Sequence, residues 1–195
     1  MLNLKGHKII LASQSPRRRE LLRGLDVEFE VTSVDADESF PDSLKGADAV
    51  QYICKAKAEA YKPLLEDKTI AITADTVVIL DDKIIGKPKT EEEAFGMIKS
   101  LSGRVHEVIT AVCIFSKEKS VQFYSSTEVH FSTLTDEEIR YYVHKYKPFD
   151  KAGSYGVQER IGYIGIEKIV GSYFNVMGLP VKRLYDELKT FIETL

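Results

Sequence analysis

The chain has 195 residues, 44% hydrophobic and 29% charged, enough to fold around a proper core and too apolar for a disordered chain. A formal net charge of −3 sets it against broad, sequence-independent nucleic-acid binding, which draws on a basic excess. No apolar run reaches about 18 residues, so no membrane span is expected, and residues 1–8 lack a signal-peptide core. Cys54 and Cys113 sit among apolar neighbours and read as reduced core thiols of a cytoplasmic protein.

In chain order, Ile9-Ile10-Leu11-Ala12 has strand character and runs into Ser13-Gln14-Ser15-Pro16-Arg17-Arg18-Arg19-Glu20. There the apolar spacing changes to Leu21, Leu22 and Leu25, one face of a short helix. Pro16 suits the first helical turn, where its missing N–H removes nothing from the ladder, and Ser13 or Ser15 can cap that turn. Free amides, two hydroxyls and up to three guanidinium groups meet at this corner, a combination that favours a phosphate chain. The plainer reading is a capped helix with a solvated basic face.

Residues 27–34 read as a second strand, with Val27, Phe29 and Val31 alternating against Glu28 and Glu30. The strand ends in Asp35-Ala36-Asp37-Glu38-Ser39, an acidic cluster that is either solvated or able to ligate a hard divalent cation. Residues 48–61 form a helix that stops before Pro63, its stripe being Val50, Ile53, Cys54, Ala58 and Tyr61. Lys57 falls on that stripe, whereas Lys55 faces solvent. Burying an unpaired ammonium is costly, so Lys57 either snorkels to water or reaches an anion.

Residues 70–74 read as a strand buried on both faces and residues 77–80 as another apolar run, with Asp75 and Thr76 between them. A carboxylate set in such a run needs a metal, a lysine or a proton role. Asp81-Asp82-Lys83 is a hairpin turn and Ile84-Ile85 returns to Gly86-Lys87-Pro88, where Gly86 permits close approach and Pro88 pins the chain after Lys87. Thr90 and Glu93 form a capping box for a helix ending at Ser102-Gly103. Residues 105–115 and 121–133 read as an antiparallel ribbon whose His106 and His130 are structural or exposed rather than metal ligands.

Thr135 and Glu138 make a second capping box, opening a helix that ends at Pro148. Residues 149–158, Phe149 to Gln158, hold two glycines, small residues and an aromatic, an ordered loop suited to recognition. Residues 161–170 and 172–176 carry strand character interrupted by Gly162, Gly165 and Gly171. Pro180 opens a last helix with the stripe Val181, Leu184, Tyr185, Leu188, Phe191, Ile192 and Leu195. One compact α/β domain over residues 1–195 is the economical reading.

The unusual residues fall into two chemical sets. Arg17, Arg18, Lys57 and Lys87 are cations at corners or on an inward face, and Glu38 and Asp75 are carboxylates near strand ends. Together they suit hydrolysis of a metal-bound phosphate chain, with cations stabilising the leaving group and a carboxylate orienting or deprotonating water. No Gly-rich loop ends in Gly-Lys-Ser/Thr and no Gly-x-Gly-x-x-Gly follows the first strand, which excludes the P-loop and dinucleotide fingerprints.

Leu11-Ala12-Ser13-Gln14-Ser15-Pro16-Arg17-Arg18, Ala74-Asp75-Thr76, Gly86-Lys87-Pro88, Leu101-Ser102-Gly103, Asp150-Lys151-Ala152-Gly153-x-Tyr155-Gly156-x-Gln158 and Gly178-Leu179-Pro180 resemble the Maf family, septum-formation-inhibitor-like nucleotide pyrophosphatases. The motifs occur in family order across nearly the whole chain. The resemblance implies an inosine-triphosphate-pyrophosphatase-like α/β fold, a single mixed-sheet domain with a central cleft. It also implies cleavage between the α and β phosphates of nucleoside triphosphates, assisted by Mg2+, Mn2+ or a similar divalent cation, in a homodimer with a house-cleaning role.

Carried over by position, Asp75 matches the family's proton acceptor, and Ser13, Arg17, Glu38, Lys57 and Lys87 its active-site polar set. Glu38 and Asp75 are the metal candidates. Ser13, Arg17, Arg18, Thr76 and Gln158 are the substrate-binding and specificity candidates, and Arg17, Thr76 and Gln158 place the chain with the dTTP and UTP branch. One departure is Thr73, where the family often has glycine. The competing class is a nucleotide-binding regulator of septum formation without turnover, against which the retained carboxylates argue.

Overall fold

The computed structural model describes residues 2–33 and 36–195. Its elements are β1 (Lys8–Ala12), α1 (Pro16–Arg23), β2 (Glu30–Thr32), α2 (Gly46–Tyr61), β3 (Thr69–Leu80), β4 (Lys83–Ile85), α3 (Glu91–Leu101), β5 (Val105–Phe115) and β6 (Ser120–Phe131). They continue with α4 (Asp136–Tyr146), α5 (Arg160–Gly165), β7 (Ile166–Val170), α6 (Tyr173–Met177) and α7 (Val181–Glu193). The strands form a mixed seven-stranded sheet in the order β2-β1-β3-β5-β6-β7, with β4 paired to β3. β1 runs parallel to β2 and β3, while β4 on β3 and β7 on β6 are antiparallel. This is the mixed α/β class that the sequence implies. No helix among the described residues is long and apolar enough to cross a membrane.

The chain divides into two compact units. The first comprises Met1–Asp75, Thr110–Ser125 and Gly178–Leu195. Its buried side chains include Leu11 and Leu22, the α2 stripe of Val50, Ile53, Cys54, Ala58 and Tyr61, and Leu184, Leu188, Phe191 and Ile192 of α7. Helix α2 begins two residues before the expected start, and its inward face is the one the spacing indicates. The expected strand over 27–34 shortens to β2, because Val31 is exposed and only Val27 is buried. Val34 and Asp35 lie outside the described residues. Both cysteines are free and buried.

The second unit comprises Thr76–Ile109 and Ser126–Met177. Val78, Ile98, Leu101, Phe131, Ile139 and Tyr142 belong to its core. Asp81 and Asp82 form the two-residue turn between β3 and β4, with φ of 50° and 62°. Two left-handed residues make the tight turn whose twist matches the flanking strands. Thr90 caps α3 by accepting from Glu93 N, but Glu93 Oε2 bonds Lys89 N rather than closing the box on Thr90. Thr135 and Glu138 close theirs fully.

Two strand expectations are corrected. Residues 160–165 turn as α5 before β7 begins, and residues 173–177 form α6 instead of a strand. At Gly162 a Cβ would stand 1.9 Å from Val157 O, so the chain folds tightly back on the preceding loop, which favours a helical turn over extension. Ser172 starts α6 by accepting from Asn175 N at 3.3 Å, and Asn175 Nδ2 anchors it to Val108 O at 3.0 Å. Tertiary bonds here override the β-branched composition.

Candidate active site

The corner between β1 and α1 is built as a helix start. Ser15 is the N-cap, its Oγ accepting from Arg18 N at 3.4 Å, and Pro16 occupies the first turn. Ser13 Oγ accepts from Ser15 N at 3.3 Å and from Arg18 Nη1 at 3.4 Å. Arg18 Nε donates to Gly178 O at 2.8 Å, so the late Gly-Leu-Pro segment anchors this guanidinium. Burial pulls the Arg18 pKa down from its ordinary value, and the Asp75 carboxylate partly offsets that. Arg17 is half-buried on the same turn.

Lys57 resolves the ambiguity of an inward lysine. Its Nζ donates to Asp75 Oδ2 at 2.5 Å and to Glu38 Oε1 at 2.7 Å. The Lys57 and Asp75 side chains are 14% and 11% exposed and Glu38 is 51% exposed, so the tight pair lies inside and the third group faces solvent. Burial lowers the Lys57 pKa, but the two carboxylates outweigh it and the net shift is upward. The ammonium therefore stays charged.

Thr73 is fully buried, its Oγ1 donating to Cys54 O at 3.3 Å, and Cys54 Sγ reaches Thr73 O at 3.6 Å and Ala111 O at 3.5 Å. Burial pushes the Cys54 thiol up to about 12, leaving it a neutral donor. Thr73 lies two residues before Asp75, and Cys54 three before Lys57. The side chain that departs from the family's glycine thus ties α2 to β3 beside the ion pair.

In the second unit, Thr76 follows on β3, half-buried, and Lys87 is exposed. A Cβ at Gly86 would meet open space, so the closeness expected there is not filled by the protein itself. The 149–158 loop is tied to that segment by Gly153 N donating to Gly86 O at 3.0 Å. Gly153 has φ +68°, and a Cβ there would press within 2.9 Å of Val78. Tyr155 Oη meets His106 Nε2 at 2.7 Å, both residues buried, so His106 is structural as expected. Gln158 Oε1 is buried without a hydrogen-bond partner among the described residues.

The structure thus brings Glu38, Lys57 and Asp75 into direct contact, and Ser13 with Arg18, while Thr76, Lys87 and Gln158 belong to the second unit. Sequence spacing did not single out Tyr142, Glu159 or the His106–Tyr155 pair, because their partners lie 14 to 49 residues away. Among the described residues no three His, Cys, Asp or Glu side chains cluster as a metal site. Two carboxylates brought to one ammonium nevertheless fit a cation such as Mg2+, which takes one or two carboxylates and completes its shell with substrate phosphates and water.

The fold is that of an α/β protein, and in one unit it sets a capped helix start rich in guanidinium groups beside carboxylates on a half-buried lysine, groups of the kind that suit a phosphate chain. A family model described as Maf-like protein matches residues 8–191, and the chain belongs to that family. It is 57% identical over 190 residues to dTTP/UTP pyrophosphatase of Parabacteroides distasonis, covering 97% of this chain and 98% of that one. It is 53% identical over 195 residues to dTTP/UTP pyrophosphatase of Porphyromonas gingivalis, with 98% of each covered. The solved structure of the Staphylococcus aureus Ham1 protein matches 96% of this chain and 98% of its own with a TM-score of 0.50 at 14% identity, a likeness of fold.

Proposed function

We propose that residues 1–195 act as one enzyme that hydrolyses dTTP and UTP, ordinary or modified, to the monophosphate and pyrophosphate. The observation that carries this reading is the Glu38–Lys57–Asp75 cluster in a chain whose curated relatives are named dTTP/UTP pyrophosphatase. The amide end of α1, Ser13 and the Arg17 and Arg18 guanidinium groups favour phosphate oxygens. Asp75 takes the proton of the attacking water, and the hydrogen bond from Lys57 Nζ aims that carboxylate. Lys57 and Lys87 offset the charge that grows as the bond between the α and β phosphates breaks.

Glu38 and Asp75 are the residues to hold a divalent cation, Mg2+ or Mn2+, which when bound neutralises charge on the phosphate chain. Gln158 reads the base: its Oε1 accepts from the N3–H of uracil or thymine and its amide N–H donates to a base carbonyl. A base edge that does not bring a donor to that position leaves the buried oxygen unpaired, which a hydrogen-bonding site penalises strongly. Thr76 belongs to the same specificity set. The reading extends to a cytoplasmic homodimer, to which the two free buried thiols are suited.

The test is product analysis with dTTP, UTP, ATP and GTP in the presence of Mg2+. Rapid release of pyrophosphate with dTMP or UMP supports the reading. Tight nucleotide binding without products, or orthophosphate as the product, contradicts it.

A further inference from the structure

The segment that carries Gln158 is a four-residue turn, Glu159 N donating to Gly156 O at 3.0 Å. Both ends of this turn meet one phenol. Tyr142 Oη accepts from Gly156 N at 3.0 Å and donates to Glu159 Oε2. The other carboxylate oxygen, Glu159 Oε1, lies 3.1 Å from Lys151 Nζ, which also donates to Asp150 Oδ1 at 2.8 Å. Tyr142 has no exposed surface and Lys151 is 7% exposed. A Cβ at Gly156 would stand 2.8 Å from Glu159 Cδ, so the absent side chain is what lets the carboxylate fold back over the turn.

We propose that Tyr142, Lys151 and Glu159 are positioning residues for base selection, holding the turn so that the Gln158 amide is aimed at the base edge. Gln158 Oε1 has no partner of its own among the described residues, so its direction is set by the backbone that carries it. The Gly156 amide before it and the Glu159 side chain after it are both fixed through a single tyrosine oxygen. A buried ammonium shared by two carboxylates adds little stability over an apolar filling of the same volume, whereas its directional bonds define one geometry. Tyr142 is itself held on α4 by stacking on Tyr146, with ring centroids 5.0 Å apart. Phosphate cleavage is assigned to residues outside this network, so its loss acts on which base is accepted.

The inference rests on Gln158 as the base reader, and the experiment separates the two. Tyr142→Phe keeps the ring and its stacking and removes only the oxygen; Glu159→Gln keeps the shape and removes the charge. For both, kcat/KM is measured with UTP and ATP, with Tyr146→Phe as the control. The expected result is a fall of about tenfold in the UTP-to-ATP ratio, with kcat for UTP changed less than about threefold and the control ratio unchanged. A preference that survives both variants, or turnover of UTP and ATP falling in equal proportion, overturns this inference alone. A wild-type protein with no preference for UTP overturns the reading of Gln158 and this inference with it.

Discussion

Lys57 Nζ donates to Asp75 Oδ2 across 2.5 Å, joining the inward face of α2 to the middle of β3. The pair places a fixed positive charge on an acid that is itself buried at 8% exposure. Asp75→Asn preserves the shape and removes the carboxylate proposed as the base. Turnover should fall about 10²-fold or more while the thermal transition stays cooperative. Near-normal turnover in the folded variant removes Asp75 from the chemistry.

Lys57→Met keeps the apolar stripe of α2 but removes the ammonium that donates to both Glu38 and Asp75. Because Asp75 is then left buried without that charge, we expect lower stability, by about 1–3 kcal/mol in chemical denaturation, together with a loss of turnover. Lys55→Met is the control, since Lys55 is exposed. Equal activity and stability in the two variants contradicts the pairing.

Much of this site was legible in the residues themselves. The strand-to-helix corner followed from Pro16 and the serines, and the inward lysine from its phase on the α2 stripe. What was not legible depends on distant partners. Asp75 sits in the middle of one twelve-residue strand and not between two runs, because Thr69–Leu80 is buried almost throughout and pairs with β1 at one end and β4 at the other. Residues 160–165 and 173–177, on either side of β7, look extended by composition, yet turn because Gly162 packs on Val157 and Ser172 caps α6. Tyr142 reads as an ordinary core residue of α4; only the fold brings its hydroxyl to Glu159.

His106 provides a pH signature for the second unit. Burial, with a smaller contribution from nearby His130, lowers its pKa from 6.5 to about 4. The folded protein therefore keeps the ring neutral while the unfolded chain protonates it. The stabilisation is fully present above about pH 6.5 and is lost as pH falls toward 4, a displacement worth roughly 3 kcal/mol. Denaturation midpoints measured between pH 7 and 4 should fall more steeply for the wild-type protein than for His106→Leu. Parallel curves contradict the assignment.

Thr73→Val removes the hydroxyl that bonds Cys54 O and keeps the volume. We expect about 1 kcal/mol of destabilisation and a small loss of turnover, with Thr73→Ser restoring both. Thr73→Val with stability and turnover equal to the parent removes the proposed tie between α2 and β3.

The most direct test of the central claim follows phosphorus NMR of the protein with Mg2+ and four nucleotides: UTP, α,β-methylene-UTP, β,γ-methylene-UTP and ATP. A pyrimidine pyrophosphatase cleaves UTP to UMP and pyrophosphate, cleaves β,γ-methylene-UTP to UMP and methylenediphosphonate, leaves α,β-methylene-UTP intact, and processes ATP far more slowly. Cleavage of α,β-methylene-UTP with release of orthophosphate, or ATP consumed as fast as UTP, contradicts the account.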